Sequence, residues 1–419
     1  MYKNSLLPSI NSRQSIYNIL VILSLVAFPI FEVYSLFGVN LSNLIVGSLI
    51  MLGLVTGKFK FSRRCIPYYL GIYFIYFIGV TIFSGIYNIS EMPNRLAGVL
   101  FIMLQFIMFF SCFEKNTFYN IYKVIAIGTI AFFFVQEVGY KATGVRIPGI
   151  IPFLPLDPTY ASIDAYGTFA DYLAIVGRST SFFSEPARFA QFLLPFLAMI
   201  LFDGKGWMKW MLTISTVIAL FLLQSGNGII GLFCILSVYF FRLLKKGTAL
   251  AKLAFFIMIP IIVICGAKYM GNNESSQYYG ERMSEITSSS SSGDINSGFY
   301  RIYRGYYVYA EYNIIEKLFG INNFHQIETK IKQSSVAAYF PKGDMYFNVI
   351  QAFLIKTGLI GVILYILMLF EVWKRTSACG KSILLTFIVF SFMSALHMSA
   401  IMIVYFLIPY FYPREKIYI

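Results

Sequence analysis

The stretch GRSTSFFSEPARFAQFLLPFLAMILF, Gly177 to Phe202, joins a polar segment to a long apolar run. Two arginines and one glutamate precede the run, although only 12% of the chain is charged. Ser184 is expected to cap a helix, Pro186 to occupy its first turn and Glu185 to interact with the positive end of its dipole. The apolar run that follows predicts a helix that spans a membrane.

Comparable apolar runs recur along the whole chain of 419 residues. Hydrophobic residues make up 58% of the sequence and the mean hydropathy is +0.71, which is more apolar surface than a soluble core can bury. We therefore predict an all-α, polytopic membrane protein with about twelve transmembrane helices. The predicted spans are residues 16–37, 40–56, 66–88, 96–113, 117–139, 188–203, 207–224, 226–243, 250–268, 345–371, 381–397 and 399–413.

Two long polar segments separate these spans into three groups, so the chain has five parts. Spans are predicted in residues 1–139, 188–268 and 345–419, and external loops in residues 140–187 and 269–344. The two halves of the chain show no matching lengths or motifs, which disfavours a transporter built from paired repeats.

The net charge of +14 is explained by sidedness. Lys and Arg concentrate in alternate short connections, whereas the short connections on the opposite side carry only Arg95. This is the positive-inside pattern, so both termini are expected in the cytoplasm and nucleic acid is not expected as a partner. The first apolar run is too long for a signal peptide and is expected to be retained. Five cysteines lie in or beside apolar runs with no CxxC pair, so neither a disulfide framework nor a metal site is predicted.

The second loop begins with a Ser/Gly-rich linker, Ser284–Gly298, and continues as Phe299–Gly320. Apolar and tyrosine residues at spacings of three and four predict one amphipathic helix there, with Gly320 at its end. Arg301 and Arg304 fall on one face of this helix and could clamp a diphosphate. A solvated charged face is the simpler alternative.

Arg178 and Arg188 suggest an anion site at the start of the span after the first loop. Guanidinium groups bind phosphate oxygens in two-point fashion, and a helix N-terminus adds favourable N–H groups. At a membrane surface such an anion usually belongs to a lipid head group. The alternative is that the arginines extend to the interface for solvation alone.

Three further features remain open. Gln224–Gly231 is either a functional motif or a simple turn with close helix packing. Lys356 is a charge within an apolar span, so it lines a polar cavity or extends to the interface. Of the two histidines, His325 falls in the second loop and His397 in an expected tight turn.

Four stretches follow one another in a characteristic order. They are RSTSFFSEPARFAQF (178–192) before a span, LLQSGNGIIG (222–231) between spans, RIYRGYYVYAEYNIIEKLFGINNF (301–324) in the large loop, and FNVIQAFLIKTGLIG (347–361) in a closing span. In this order the chain resembles the O-antigen ligase and repeat-unit polymerase superfamily of bacterial membrane glycosyltransferases. The first 140 residues resemble that family only in having apolar spans.

The resemblance implies a GT-C-like bundle in the bacterial inner membrane. The implied reaction, on the periplasmic face, transfers a glycan from an undecaprenyl-diphosphate donor to an undecaprenyl-diphosphate-linked repeat unit, building O-antigen, capsule or exopolysaccharide. Membrane lipids and a chain-length regulator are possible partners. No cofactor is expected, and fixed arginine charge would stabilise the leaving diphosphate without a metal.

The site residues implied by the resemblance fall into two groups. Ligases of the family carry a histidine before the asparagine of the closing motif, but Phe347 stands there in this chain, which favours a polymerase and leaves the base open. The candidate bases are Glu185, His325 and Asp344. The expected substrate-binding residues are Arg178, Arg188, Arg301, Arg304 and Asn348.

Two alternatives remain. An O-antigen ligase would transfer finished polymer to the lipid A-core. A lipid-linked oligosaccharide flippase, from a different functional class, would line a central cavity with intramembrane charges, of which this chain has few: Glu32, Lys123 and Lys356.

Overall fold

The computed structural model of the chain describes residues 16–58, 68–157, 178–246, 298–335, 337 and 346–412. The span predicted at 250–268, the Ser/Gly-rich linker up to residue 297 and the candidate base Asp344 lie outside the described residues.

The described residues form fourteen helices and one two-stranded hairpin. In chain order these are α1 (Ile16–Phe31), β1 (Ser35–Leu36), β2 (Val39–Asn40), α2 (Leu41–Val55), α3 (Tyr68–Gly85), α4 (Met92–Cys112), α5 (Lys115–Thr143), α6 (Pro186–Asp203), α7 (Gly206–Leu222), α8 (Gly226–Lys246), α9 (Gly298–Ala310), α10 (Ile314–Phe319), α11 (Phe324–Gln333), α12 (Val349–Arg375), α13 (Ala378–Phe390) and α14 (Ala400–Phe411).

The prediction of a mostly helical membrane protein is confirmed. Among the described residues, five helices are long and apolar enough to cross a membrane: α4, α5, α6, α8 and α12. Shorter apolar helices, α1, α2, α3, α7, α13 and α14, coincide with six other predicted spans. The count of about twelve spans is not confirmed. The span predicted at 16–37 is shorter than expected, because α1 ends at Phe31 and the hairpin follows.

The described residues group into two compact units. Unit 1 comprises those within 1–65, 104–233 and 403–413; unit 2 comprises those within 66–103, 234–402 and 414–419.

Helix α6 forms the centre of unit 1, where every residue from Phe189 to Leu201 is buried. It packs against α5 and α7, and α1 packs against α2 and α5. Pro195 has no N–H to donate to Gln191 O, and the Tyr405 hydroxyl donates to that carbonyl instead at 2.9 Å. The run that follows the polar junction is therefore a fully buried helix with its main chain satisfied.

Unit 2 is built around α12, which packs against α3, α9, α10 and α13. The single amphipathic helix predicted over Phe299–Gly320 is wrong, because the chain forms α9 and α10 with a turn between them. Asn313 starts the second helix: its side chain accepts from Glu316 N at 2.8 Å, and Glu316 accepts from Asn313 N at 2.9 Å. The predicted end at Gly320 is confirmed, with φ at +77°.

A break at Gly358 divides α12, where φ is +61° and ψ is −167°. The turn at Gly320 fits directly against this break, and a Cβ atom on either glycine would overlap the main chain of the other segment. Ile321 N donates to Ile355 O at 2.8 Å. The loop after α10 thus satisfies a main-chain group next to the break.

Candidate anion-binding site

The segment that introduces α6 lies in unit 1 and starts the helix differently from the prediction. Glu185, rather than Ser184, is the N-cap residue, with φ −154° and ψ 156°, and its side chain makes no capping hydrogen bond. Pro186 occupies the first helical position, as predicted. The Glu185 side chain remains 55% exposed and is available for other contacts.

Gln136 of α5 holds two loop segments of unit 1 at once. Its Oε1 accepts from Ser181 N, and its Nε2 donates to Ile147 O, both at 2.8 Å. The Ser181 hydroxyl also donates to Thr129 O of α5 at 2.8 Å. The two segments touch, because a Cβ atom at Gly149 would overlap Ser181 O. One buried amide therefore fixes the segment that carries Arg146 beside the segment that carries Arg178.

Arg146 is a member of this site that the sequence did not indicate. Its guanidinium stacks on the Tyr140 ring, with 3.9 Å from Cζ to the ring centroid. Its Nε and NH1 atoms are shielded from solvent and have no hydrogen-bond partner among the described residues. Burial lowers the pKa of Arg146; Glu137 and Tyr140 oppose this shift, and Arg178 adds to it. The group remains cationic at neutral pH.

Arg178 belongs to the same group of charges. It lies within electrostatic range of Arg146, and its NH1 donates to Gln224 O at 3.4 Å. Gln224 adopts a positive φ of 48° in the turn between α7 and α8. Two of the stretches that carry the family resemblance, 178–192 and 222–231, therefore meet at Arg178.

Arg188 is placed between two carboxylates. Its Nε lies 3.6 Å from Glu32 and 3.6 Å from Glu185, while its NH1 is buried without a hydrogen-bond partner among the described residues. Glu32 follows the end of α1, and burial raises its pKa, with Arg188 opposing the shift and Glu185 adding to it. The carboxylates partly neutralise Arg188 but leave one edge of its guanidinium uncommitted.

Two buried hydroxyls complete the site. Ser179 and Thr180 are 4% and 2% exposed, and neither hydroxyl oxygen has a hydrogen-bond partner within the described part of the chain. Buried polar groups in folded proteins are nearly always hydrogen-bonded, so uncommitted donors concentrated in one place indicate a ligand. The neighbouring guanidinium groups of Arg146 and Arg178, with the hydroxyl donors that follow Arg178 in the chain, favour a phosphate-like anion.

The remaining arginine and asparagine candidates lie in unit 2. Arg304 of α9 is 2% exposed, and its NH2 donates to Tyr346 O at 3.0 Å. Arg301 lies on the same helix, but its side chain is outside the described part of the chain. Asn348 is fully buried as the N-cap of α12, and its Nδ2 donates to Phe392 O at 2.9 Å. This geometry gives Asn348 a structural role; its substrate role stays a prediction.

His325 lies near the start of α11 with an exposed side chain, and its carbonyl accepts from the Thr329 hydroxyl at 2.8 Å. Of the two candidate bases that the structure describes, Glu185 lies in the same unit as Arg146, Arg178 and Arg188, and His325 lies in unit 2. His397 occupies a turn between α13 and α14, as predicted.

No model of a known protein family matches the chain. A comparison with curated proteins likewise finds no similar sequence.

Proposed function

We propose that the protein is a membrane glycosyltransferase that polymerises oligosaccharide repeat units carried on undecaprenyl diphosphate. The observation that carries the proposal is the pair of neighbouring guanidinium groups in unit 1, Arg146 and Arg178, in which buried nitrogens of Arg146 have no hydrogen-bond partner among the described residues. Arg188, near the start of α6, has a buried NH1 of the same kind. The resemblance of the four ordered sequence stretches supports the same reading.

The cluster suits the chemistry of this reaction. In the transfer, the acceptor hydroxyl oxygen bonds to the anomeric carbon, the bond from that carbon to the diphosphate breaks, and the diphosphate leaves with the electron pair. Fixed guanidinium groups stabilise the negative charge on the leaving group. Because Gln136 and Gln224 hold the arginine-bearing segments before a ligand arrives, little reorganisation is needed.

Glu185 is the proposed acceptor of the hydroxyl proton. It is more than half exposed, carries no helix-capping bond and lies beside Arg188. The contact with Arg188 places the carboxylate beside a proposed anion-binding residue.

Surface polysaccharide from a deletion strain tests the proposal. Loss of a polymerase leaves single repeat units on the surface lipid, and the wild-type gene restores a ladder of longer products. We expect Arg178→Ala, Arg178→Lys and Arg146→Ala to leave single units at normal protein level, because the two-point contact to phosphate is lost. Lys141→Ala is the matched control, since Lys141 is an exposed cation in the last turn of α5 and should restore the ladder.

Other band patterns would overturn the proposal. Polymer that accumulates on its carrier without reaching the surface lipid would indicate a ligase. A surface without even single repeat units would indicate a flippase. A normal ladder from both alanine variants would remove the arginine cluster from the reaction.

A further inference from the structure

Lys356 places a charge inside α12, and the site in unit 1 does not use it. It lies seven residues after the first residue of the helix, which is about 10 Å along the axis. The helix breaks two residues later at Gly358. A cation at such a position in a spanning helix needs a polar cavity or a counter-charge.

Arg95 and His397, both in unit 2, lie within electrostatic range of Lys356. Arg95 acts on Lys356, and Lys356 acts on His397. The His397 ring packs edge-on against Phe353, one turn before Lys356, with 4.8 Å between ring centroids. His397 Nε2 is shielded from solvent and has no hydrogen-bond partner among the described residues.

The acidic residue next to this group is already engaged. Glu91 lies one turn before Arg95 and accepts from Phe324 N at 3.1 Å and from Asn88 Nδ2 at 3.3 Å. Arg95 lies over the Phe324 ring at 5.2 Å. Because both donors to Glu91 are uncharged, Glu91 keeps its negative charge, and the two cations Arg95 and Lys356 exceed it by one positive charge. His397 Nε2 adds a buried imidazole nitrogen that is available to a ligand.

An apolar groove of unit 2 reaches the same helix break. A cavity of about 290 Å³ is lined by Tyr76, Gly79, Val80 and Phe83 of α3 and by Ile315 and Phe319 of α10. The Tyr76 hydroxyl lies 2.8 Å from Thr357 O and 3.1 Å from Phe319 O, so the polar atom of this ring is engaged with the main chain beside Lys356. What remains of the groove surface is hydrocarbon.

We propose that unit 2 binds the lipid carrier of a glycan substrate, with Lys356, Arg95 and His397 holding its diphosphate and the groove holding the adjoining part of its prenyl chain. Cationic groups next to an apolar groove match a ligand with an anionic head and a hydrocarbon tail. The inference rests on the proposed function, because a repeat-unit polymerase acts on two carrier-linked substrates.

Binding to the full chain in phosphatidylcholine nanodiscs tests this site. All variants carry Arg178→Ala to remove the unit 1 contribution, and farnesyl diphosphate is the probe. We expect Lys356→Gln to weaken binding about tenfold, the effect of losing one charged hydrogen bond. Lys356→Arg should retain most of the affinity. Farnesol and phosphatidylglycerol should compete poorly, because each lacks either the diphosphate or the prenyl chain.

Gly79→Leu tests the groove without altering charge. A Cβ atom at Gly79 meets no atom within 4 Å, so the larger side chain fills the groove rather than disturbing the fold. Gly71→Leu is the matched control on the same helix, with equally open space and no place in the groove. Weaker probe binding for Gly79→Leu alone, with unchanged thermal unfolding, supports the site.

Unchanged affinity in both Lys356→Gln and Gly79→Leu overturns the inference, as does equal competition by phosphatidylglycerol. Either result leaves the gel test of the polymerase untouched. Conversely, a gel that contradicts a polymerase does not alter which residues bind the probe, so the two failures are distinguishable.

Discussion

Gln136 in unit 1 and Gln351 in unit 2 perform the same mechanical task with different consequences. Each is a buried amide on a helix, and each bonds the main chain of a segment that carries arginine. Gln136 bonds the segments of Arg146 and Arg178. Gln351 donates to Ile302 O of α9, which carries Arg304, and accepts from Asn348 N.

The two glutamines differ in the hydrogen bonding of the polar groups beside them. In unit 2, the Asn348 amide beside Gln351 donates to a main-chain carbonyl and caps α12. In unit 1, Arg146 and the hydroxyls of Ser179 and Thr180 keep buried polar atoms that no described residue satisfies. Buried polar groups that are satisfied stabilise a fold, whereas those left open are candidates for binding.

The largest expected effect concerns the close fit between Gly320 and the helix break of unit 2. Gly320→Ala would bring a Cβ atom into the main chain at Thr357 and Gly358, at a φ of +77°. We expect a loss of about 3 kcal/mol or more in the free energy of unfolding, because backbone strain and a rigid overlap add. Thermal unfolding in detergent, followed by light scattering, measures the change.

Gly57→Ala is the control for the backbone conformation alone. Gly57 also has a positive φ, +64°, but a Cβ atom there meets nothing within 4 Å. Its cost should be about 1 kcal/mol. Equal losses for the two variants would contradict the close fit at the helix break.

The second prediction breaks the unit 1 clamp. Gln136→Leu leaves Ser181 N and Ile147 O without their present partner, so stability should fall by about 2 kcal/mol. Binding of farnesyl diphosphate to the unit 1 site should fall as well, although every arginine is retained. The measurement is made with Lys356→Gln present, so that the unit 2 site contributes little.

Gln136→Glu separates the two contacts. Its carboxylate can still accept from Ser181 N but cannot donate to Ile147 O, so Arg146 should lose its position while Arg178 keeps its own. The combination of Gln136→Glu with Arg146→Ala should then bind no more weakly than Arg146→Ala alone. Full additivity would show that Gln136 does not act through Arg146.

The sequence predicted a mostly helical membrane protein correctly, because apolar runs report burial or lipid exposure directly, whereas the count of about twelve spans is not confirmed. The contact between Glu185 and Arg188 follows from their spacing of three residues on one short stretch. The sequence did not indicate Arg146, because its position depends on the hydrogen bond from Gln136 of α5 to Ile147 O in the following loop. No local sequence pattern predicts that contact.

Helix ends within the large loop were harder to predict for a related reason. The tyrosine spacing of Phe299–Gly320 continues through the turn at Glu311–Asn313, so periodicity alone predicts one helix. The Asn313–Glu316 capping box was visible in the sequence and is the signal that would have divided it. Asn348 carried the same signal but was interpreted through the family resemblance as a substrate contact.

Asn348 and Asn313 cap their helices in the same way, so substituting each one separates a structural role from a binding role. Asn348→Ala removes a fully buried cap with added contacts to Phe392 O and Ile302 O, whereas Asn313→Ala removes an exposed cap of the same design. We expect losses of about 2 kcal/mol and about 1 kcal/mol in the free energy of unfolding. If Asn348 is structural, the polymer ladder at permissive temperature should keep its length distribution. A lost ladder with normal stability would restore Asn348 as a substrate contact.

The smallest expected effect concerns Glu32, one of the two carboxylates beside Arg188. Because burial raises the pKa of Glu32, this group takes up a proton at a higher pH than an ordinary glutamate. As pH falls from 7, the unit 1 site therefore gains net positive charge, and affinity for an anion should rise by a factor of about two to three.

Glu32→Gln should reproduce this gain at pH 7 and remove its pH dependence, because the amide resembles the protonated acid. Farnesyl diphosphate titrates too, so the informative quantity is the ratio of affinities of the Glu32→Gln and parent chains, both with Lys356→Gln, between pH 5 and 8. The ratio should approach one at low pH. A ratio that stays constant would mean that the Glu32 carboxylate does not compete with the ligand for Arg188. Arg188 would then contribute to anion binding only through the edge of its guanidinium that Glu32 and Glu185 do not contact.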